Sequence, residues 1–146
     1  MGVIYAAVPL EEEFCAYLDE MDIDYPEVNV VSRAPSPNDL LEVFPRCGSL
    51  DIESGFIAGS WMASIERSES DCRTTIHLHE SNDLDVKGSL VFEKGSPELI
   101  ILILKELSKE LGPFGLVPDT GEEPLIVTKE LDVELAIKSW CHILES

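Results

Sequence analysis

The feature that most limits the fold is the run SPELIILILKELSKELGP, residues 96–113, which carries helix signals at both ends. Ser96 is suited to cap the first turn, Pro97 fits the first helical position, and Gly112 followed by Pro113 ends the helix. The first half is apolar on nearly every side, unlike a helix that turns one face to solvent. We therefore predict a helix that lies centrally against a sheet.

The sheet is predicted from the region before that helix, where short runs of strand-forming residues alternate apolar and polar side chains. These runs are residues 49–69, 72–81 and 88–94. In the first of them Trp61, Ala63 and Ile65 fall on one side, because side chains alternate across a strand. Short, polar joints between consecutive strands are typical of an antiparallel meander.

The remaining segments complete the order of elements. Strands are predicted at residues 2–8, 27–32, 114–117 and 124–128, and helices at residues 10–21, 37–44 and 129–144. Ser36 is the predicted N-cap of the second helix and Pro45 its end. The last helix would bring four apolar side chains together at helical spacing: Leu131, Leu135, Trp140 and Leu144. The chain is thus predicted to be one α+β domain, residues 1–146, with an antiparallel sheet (a meander plus a hairpin) packed against helices.

Charge is the most unusual property of the sequence. Lys and Arg number 10 and Asp and Glu number 29, which leaves a formal net charge of −19. Such a field repels nucleic acid and anionic membranes and speeds the encounter with a basic partner. Plain solubility explains the same composition equally well. We expect a protein partner, no nucleic acid and no membrane, and the sequence leaves room for a homodimer.

The triplet Asp119-Thr120-Gly121 matches the one that carries a catalytic carboxylate in aspartic proteases. That chemistry needs two such loops, so that two carboxylates share a proton, and a glycine-containing strand well downstream. Gly121 is the last glycine of the chain, so the downstream element is missing. Pro, Asp, Thr and Gly each favour turns, and they stand between two apolar runs. We interpret the triplet as a hairpin turn.

The segment HLHE, residues 77–80, is the remaining candidate for metal chemistry. His77 and His79 share one face of a strand, as paired imidazoles that bind zinc can do. The candidates for a third ligand are His142, Glu66 and Asp71, and their spacing favours none of them. Two solvated histidines on a strand face are the simpler interpretation.

Other signals are negative. The sequence contains no phosphate-binding glycine motif, no nucleophile elbow and no complete calcium loop, so we expect no catalytic residues and no cofactor. The four cysteines are far apart, and the N-terminus lacks the basic region of a signal peptide. We therefore expect a cytoplasmic protein with buried, reduced thiols.

Acidic residues are concentrated around the first helix. No Lys or Arg precedes Arg33. Carboxylates near the C-terminal end of a helix oppose its dipole and repel one another, and a small local cost of this kind can mark a functional surface. A solvated helix end is the alternative. The candidate partner-binding residues are Glu11, Glu12, Asp19, Glu20, Asp22, Asp24, Glu122 and Glu123.

One segment resembles a known group of proteins. The run from Ser96 to Val127 combines an apolar helix, Gly-Pro, a strand, an acidic turn with glycine, and a second strand. This order is similar to the C-terminal part of some bacterial toxin-immunity proteins, which are small cytosolic proteins that bind the toxic effector of their own cell. The resemblance implies a small, acidic, non-enzymatic α+β protein and supplies no specific site residues.

The leading hypothesis is therefore a binding protein, most concretely an immunity protein that neutralises a basic toxin or effector through its acidic surface. Two alternatives come from other classes. One is a small metal-dependent enzyme that uses His77 and His79, and the other is a regulatory subunit of a cytosolic complex.

Overall fold

The computed structural model of the protein describes residues 4–25, 32–68, 72–120 and 123–138. Seven strands lie at Ile4–Pro9 (β1), Leu50–Ile57 (β2), Ser60–Arg67 (β3), Arg73–His79 (β4), Ser89–Gly95 (β5), Phe114–Pro118 (β6) and Leu125–Val127 (β7). Helices lie at Glu12–Glu20 (α1), Pro37–Val43 (α2) and Pro97–Leu111 (α3), with a 3-10 helix at Phe44–Cys47 and a helical segment at 133–138.

All seven strands form one sheet in the order β2-β3-β4-β5-β1-β6-β7, and every pair is antiparallel. The predicted α+β class, the meander and the hairpin are therefore confirmed. The meander β2–β5 and the hairpin β6–β7 do not touch directly, because β1 lies between them. Ile4 pairs with Glu93 of β5, and Tyr5 pairs with Pro118 of β6.

Helix α3 covers one face of this sheet, as its apolar composition predicts. Leu99, Ile100 and Ile103 have no solvent exposure, and they join a core that includes Trp61 of β3 and Phe92 of β5. Trp61, Ala63 and Ile65 share the core face, as predicted. No helix within the described ranges is long and apolar enough to cross a bilayer.

One detail at the start of α3 differs from the prediction. Ser96 occupies the N-cap position, and its carbonyl accepts the N–H of Ile100 at 3.1 Å. Its hydroxyl makes no capping hydrogen bond, however, so the cap is a backbone feature only. Pro97 removes one of the N–H groups that a helix start leaves without a partner, which lowers the need for a side-chain cap.

Helix α2 begins as predicted, with Pro37 in its first turn and a capping box between Ser36 and Asp39. Arg33 adds a bidentate pair to the same carboxylate, at 3.0 and 3.2 Å. Burial alone would raise the pKa of Asp39, but the hydrogen bonds from Arg33 and Ser36 outweigh it and hold that pKa below its usual value. Helix α2 ends at Val43, before Pro45, but helical structure does not stop at this proline, because the 3-10 helix Phe44–Cys47 runs through it.

The predicted run 49–69 is two strands and not one. A two-residue turn at Ala58 and Gly59 divides it, with φ angles of 51° and 80°. Two successive positive φ values define the type I′ turn, whose twist matches that of a hairpin. Alanine is uncommon at positive φ, which is why the sequence gives no turn signal there.

Parts of two other predicted elements lie outside the described residues. One is residues 27–31 of the predicted strand 27–32, and the other is the end of the last helix, with Trp140 and Leu144. The described part of that helix is 133–138, shorter than predicted at its start. Leu131 packs against the core as predicted, but Leu135 is 61% exposed and Ala136 faces the core instead. The predicted apolar face was therefore rotated from the true one.

Among the described residues, helix α1 lies on the second face of the sheet, at its β6 end. Gly115 alternates with Phe114 and Leu116, which point into the main core, so Gly115 faces the opposite side. The ring of Phe14 of α1 lies directly over it, because a Cβ added to Gly115 would stand 2.5 Å from Cζ of that ring. Helix α1 thus packs on this second face, and no other helix of the described ranges covers the part over β2–β5, which we call the open face.

Candidate functional site

Helix α1 and its exit carry the predicted acidic surface. Glu11 is the N-cap residue and Glu12 begins the helix, and the last turn holds no basic residue. All six predicted carboxylates of this region are exposed: Glu11, Glu12, Asp19, Glu20, Asp22 and Asp24. With the exposed Glu13 they form a group that we call the α1 surface. The structure therefore places this part of the predicted site together on solvent-facing chain.

Apolar side chains lie among these acids. Tyr17 is 42% exposed and Met21 49% exposed, and they are neighbours one helical turn apart. The ring of Tyr17 stacks on that of Phe14, with centroids 5.8 Å apart and an interplanar angle of 27°. Because Phe14 lies against Gly115, this aromatic pair is in contact with the sheet. Exposed aromatic and Met side chains on a fixed base are typical anchors of protein interfaces.

A local hydrogen bond and a left-handed residue shape the chain where it leaves α1. The hydroxyl of Tyr25 donates a hydrogen bond to Oδ1 of Asp19 at 2.9 Å, and this bond raises the pKa of Tyr25. Asp22 takes a left-handed conformation, with φ of 55°, that Asp and Asn tolerate better than most residues. The chain leaves the helix through a compact turn that keeps carboxylates at its surface.

Glu123, another of the predicted acids, belongs to the turn between β6 and β7. Glu123 is exposed, and Glu122 lies outside the described residues. Asp119 and Thr120 form the start of this turn, and the N–H of Asp119 donates to the carbonyl of Ile4 at 2.9 Å. The interpretation of the Asp-Thr-Gly triplet as a hairpin turn agrees with these positions.

Basic side chains are paired mostly away from the α1 surface. Arg46 of the 3-10 helix pairs with Glu110 of α3 at 2.9 Å, and Lys109 pairs with Glu106 within α3 at 2.9 Å. Arg33 is held by Asp39 of α2, and Arg67 lies 3.5 Å from Glu98 of α3. Within the described parts of the chain, none of these ion pairs involves an acid of the α1 surface. The negative charge of that surface is therefore left uncompensated.

A second acidic feature lies on the open face of the sheet, and sequence reasoning missed it. A shallow groove of about 440 Å³ crosses strands β2 to β5. Its carboxylates are Asp51, Glu53, Glu66 and Glu93, and we call it the acidic groove. Arg73 of β4 also lines it. Since α1 covers the other end of this same face, the α1 surface and the acidic groove lie on one side of the sheet, opposite α3.

Strand register places the groove residues in two rows. Glu53, Ser64, Thr75 and Glu93 stand side by side across four strands. In the next row Asp51 is directly opposite Glu66, an arrangement of like charges that destabilises a sheet. The spacing of Asp51 and Glu53 was visible in the sequence, but the residues that join them were not, because register depends on pairing between distant strands.

His77 and His79 share one face of β4, as predicted, but only His79 is exposed; the side chain of His77 is 15% exposed, so it is not the solvated histidine of the simpler interpretation. Their rings are stacked, with centroids 5.8 Å apart. Nε2 of His77 lies 3.1 Å from Oε2 of Glu93. The two atoms do not form a hydrogen bond, and the contact is an ion pair only when His77 is protonated. Glu93 is a neighbour of the histidines that spacing in the sequence did not reveal.

Glu66, the one predicted third metal ligand within the described residues, does not lie beside the two histidines. Glu66 pairs with Arg73 and His77 pairs with Met62, so Glu66 is four residues further along the strand, roughly 13 Å away at the rise of a β-strand. His142 and Asp71 lie outside the described residues. Within the ranges that the structure describes, no group of three or more His, Cys, Asp or Glu side chains is placed to hold a metal ion.

Of the predicted buried thiols, only Cys47 is buried within the described residues, and Cys72 is half-buried. The thiol of Cys47 lies 3.7 Å from the carbonyl of Val43. Burial, with the nearby carboxylate of Glu106, raises the pKa of Cys47 to about 12. Cys15 is a reduced thiol but only half-buried, because α1 is a surface helix, and Cys141 lies outside the described residues.

Comparison of the chain with models of protein families, with characterised proteins and with solved structures gave no match.

Proposed function

We propose that this chain is a binding protein that occludes a basic protein partner, most concretely an immunity protein that neutralises a toxin or effector. The observation that carries the proposal is the distribution of charge. The α1 surface and the acidic groove share one side of the sheet, while several basic residues are paired with acids of α2 and α3.

The charge acts first on association. A net charge of −19 produces a field that extends to about one Debye length, roughly 10 Å at 0.1 M salt. A basic partner is steered by that field toward the acidic side of the sheet, which raises the association rate and not only the affinity. If the partner is a nuclease, the carboxylates would occupy the positions that its substrate phosphates take.

Charge alone does not hold a complex, because exposed ion pairs contribute little. Tyr17 and Met21 supply the apolar contact that slows dissociation. The packing of Tyr17 on Phe14, which itself lies on Gly115, lowers the conformational entropy lost on binding, since the partner does not have to order this helix. In this proposal the protein converts no substrate and needs no cofactor.

The test is co-expression of the chain with the secreted toxic proteins encoded beside its own gene, scored as cell survival. We expect protection from one basic toxin and a complex that can be purified. Failure to protect against any neighbouring toxin, with the chain expressed and folded, would overturn the immunity proposal.

A matched pair of variants tests the surface. Three exposed acids of the α1 surface are neutralised in one variant, by Glu12→Gln, Glu20→Gln and Asp24→Asn. The control removes the same charge on the α3 side, by Glu42→Gln, Glu130→Gln and Glu134→Gln. We expect roughly tenfold slower association for the first variant at low salt, and little change for the control. Equal losses in both would show that only net charge matters.

The metal-enzyme alternative has its own measurement. Metal analysis of protein purified without chelator should give less than about a tenth of an equivalent if His77 and His79 hold no physiological ion. A stoichiometric metal that is lost in a His79→Ala variant would favour the alternative.

A further inference from the structure

Strand β2 is the free edge of the sheet on the acidic side. It is eight residues long, and within the described residues only β3 pairs with it. Its outer half is open to solvent, with Phe56 45% and Ile57 61% exposed. Natural proteins usually shield a long edge strand with charged side chains, proline, a bulge or a covering segment, and the only charged side chains of β2 are Asp51 and Glu53. The β2–β3 register runs without a break from Leu50 to Ile57, and β2 contains neither proline nor lysine.

The hairpin fixes which backbone groups point outward. In a two-residue type I′ hairpin the residues that flank the turn form a hydrogen-bonded pair, here Ile57 and Ser60. Hydrogen-bonded pairs then recur at every second position. The far end agrees, because the N–H of Ser68 donates to the carbonyl of Ser49 at 3.0 Å. The residues that direct their N–H and C=O groups away from β3 are therefore Leu50, Ile52, Ser54 and Phe56.

The side chains of β2 point alternately to the two faces of the sheet. Leu50, Ile52 and Phe56 point to the α3 side, whereas Asp51 and Glu53 point into the acidic groove. For a strand added antiparallel to β2, positions opposite Asp51 and Glu53 would be the non-hydrogen-bonded pairs. Side chains come closest at such pairs, with Cα atoms about 4.5 Å apart. The edge thus combines a row of backbone groups with carboxylates at the closest side-chain positions.

We propose that β2 receives an extended, basic segment of the partner protein as an eighth strand of the sheet. Lys or Arg side chains at alternate positions of that segment lie over Asp51 and Glu53, and apolar side chains between them lie beside Ile52 and Phe56. The inference rests on the proposed function and specifies the shape of the partner's contact. A second copy of this chain is the poorer occupant, because two β2 edges would bring Asp51 and Glu53 of both copies together.

The probe is a short synthetic peptide, acetyl-Ser-Arg-Val-Arg-Val-Arg-Ser-amide. Its control has the same composition with the arginines adjacent, acetyl-Ser-Val-Val-Arg-Arg-Arg-Ser-amide. Both carry the same charge, so only the alternating peptide can place every arginine on the groove side. We expect at least tenfold tighter binding of the alternating peptide at low salt. In NMR spectra of the labelled protein, the amides of Ile52, Ser54 and Phe56 should shift most and gain protection from exchange.

Two variants locate the contact. Ser54→Pro removes an outward N–H that β3 does not use, and Ser54→Val keeps that N–H. We expect the proline variant to lose at least tenfold in peptide affinity and the valine variant to retain it. If Ser54→Pro does not fold, the double variant Asp51→Asn, Glu53→Gln replaces it and should abolish the preference for the alternating peptide.

Several outcomes would overturn the inference. Equal affinity for the two peptides, no binding of either, or shifts confined to α1 would mean that a basic segment does not add to β2. Shifts confined to α1 would leave the proposed function standing. Protection of the β2 amides without peptide, together with a dimeric mass by light scattering, would assign the edge to a second copy. Edge binding of the alternating peptide without protection from any toxin would instead reject the proposed function alone.

Discussion

Because Phe14 lies against Gly115, we predict that the packing of α1 on the sheet depends on the absence of a side chain at residue 115. Gly115→Ala would place a Cβ 2.5 Å from Cζ of Phe14, whereas carbon atoms in ordinary contact are about 3.5–4.0 Å apart. The ring must therefore move by about 1 Å, or α1 must lift from the sheet. Overpacking of this size costs roughly 1–3 kcal/mol. A central value of about 2 kcal/mol lowers the ratio of folded to unfolded protein roughly thirtyfold.

Urea denaturation followed by tryptophan fluorescence measures this cost. With a denaturant slope of about 2 kcal/mol per molar, the midpoint of Gly115→Ala should fall by about 1 M. In a Phe14→Ala background the same glycine substitution should cost less than about 0.5 kcal/mol, because the obstructing ring is gone. Gly55→Ala is the matched control, since a Cβ at Gly55 meets no atom within 4 Å. Additive effects of Phe14→Ala and Gly115→Ala would refute the packing of α1 described here.

Three further predictions concern other parts of the fold. Ala58→Asn creates the Asn-Gly pair that type I′ turns prefer and should raise the unfolding free energy by about 0.5–1 kcal/mol in urea denaturation, whereas a loss would contradict the turn. Asp39→Asn should destabilise the protein by about 1 kcal/mol at pH 7. Because the folded pKa of Asp39 is lowered, that stabilisation is present above the unfolded pKa and is lost as pH falls through the folded one, so the two proteins should converge below about pH 4. Cys47, with a pKa of about 12, should resist alkylation in native protein at pH 8 and react after unfolding, as mass spectrometry would show.

Local signals in the sequence account for much of the fold. Helix α3 was predictable because its apolar positions cover nearly the whole circumference, and α2 because Ser36 and Pro37 mark its start. The β2–β3 turn was not, because Ala58 adopts a conformation that alanine seldom takes. The exposure of Leu135 was also missed, since the helical pattern alone does not show which face meets the core.

The candidate site was predictable only in part. The acids of α1 are close in sequence and are exposed together, so composition identified them. The acidic groove joins Glu53 and Glu93 from strands separated by two others, and no local pattern carries that information. The approach of Glu93 to His77 was missed for the same reason. Register between distant strands decides such neighbours, and a single sequence does not specify it.

The place of β1 between β5 and β6 has a consequence for how the chain is made. Strand β1 leaves the ribosome before both of its neighbours, and it stays without them until Phe114–Pro118 has followed. During that time an apolar strand is exposed in the nascent chain and could associate with other chains. Glu11, Glu12 and Glu13 follow one residue after it and place like charges beside it, as gatekeeper residues do. The acids that we assign to partner binding would thus first protect the unfinished protein from aggregation.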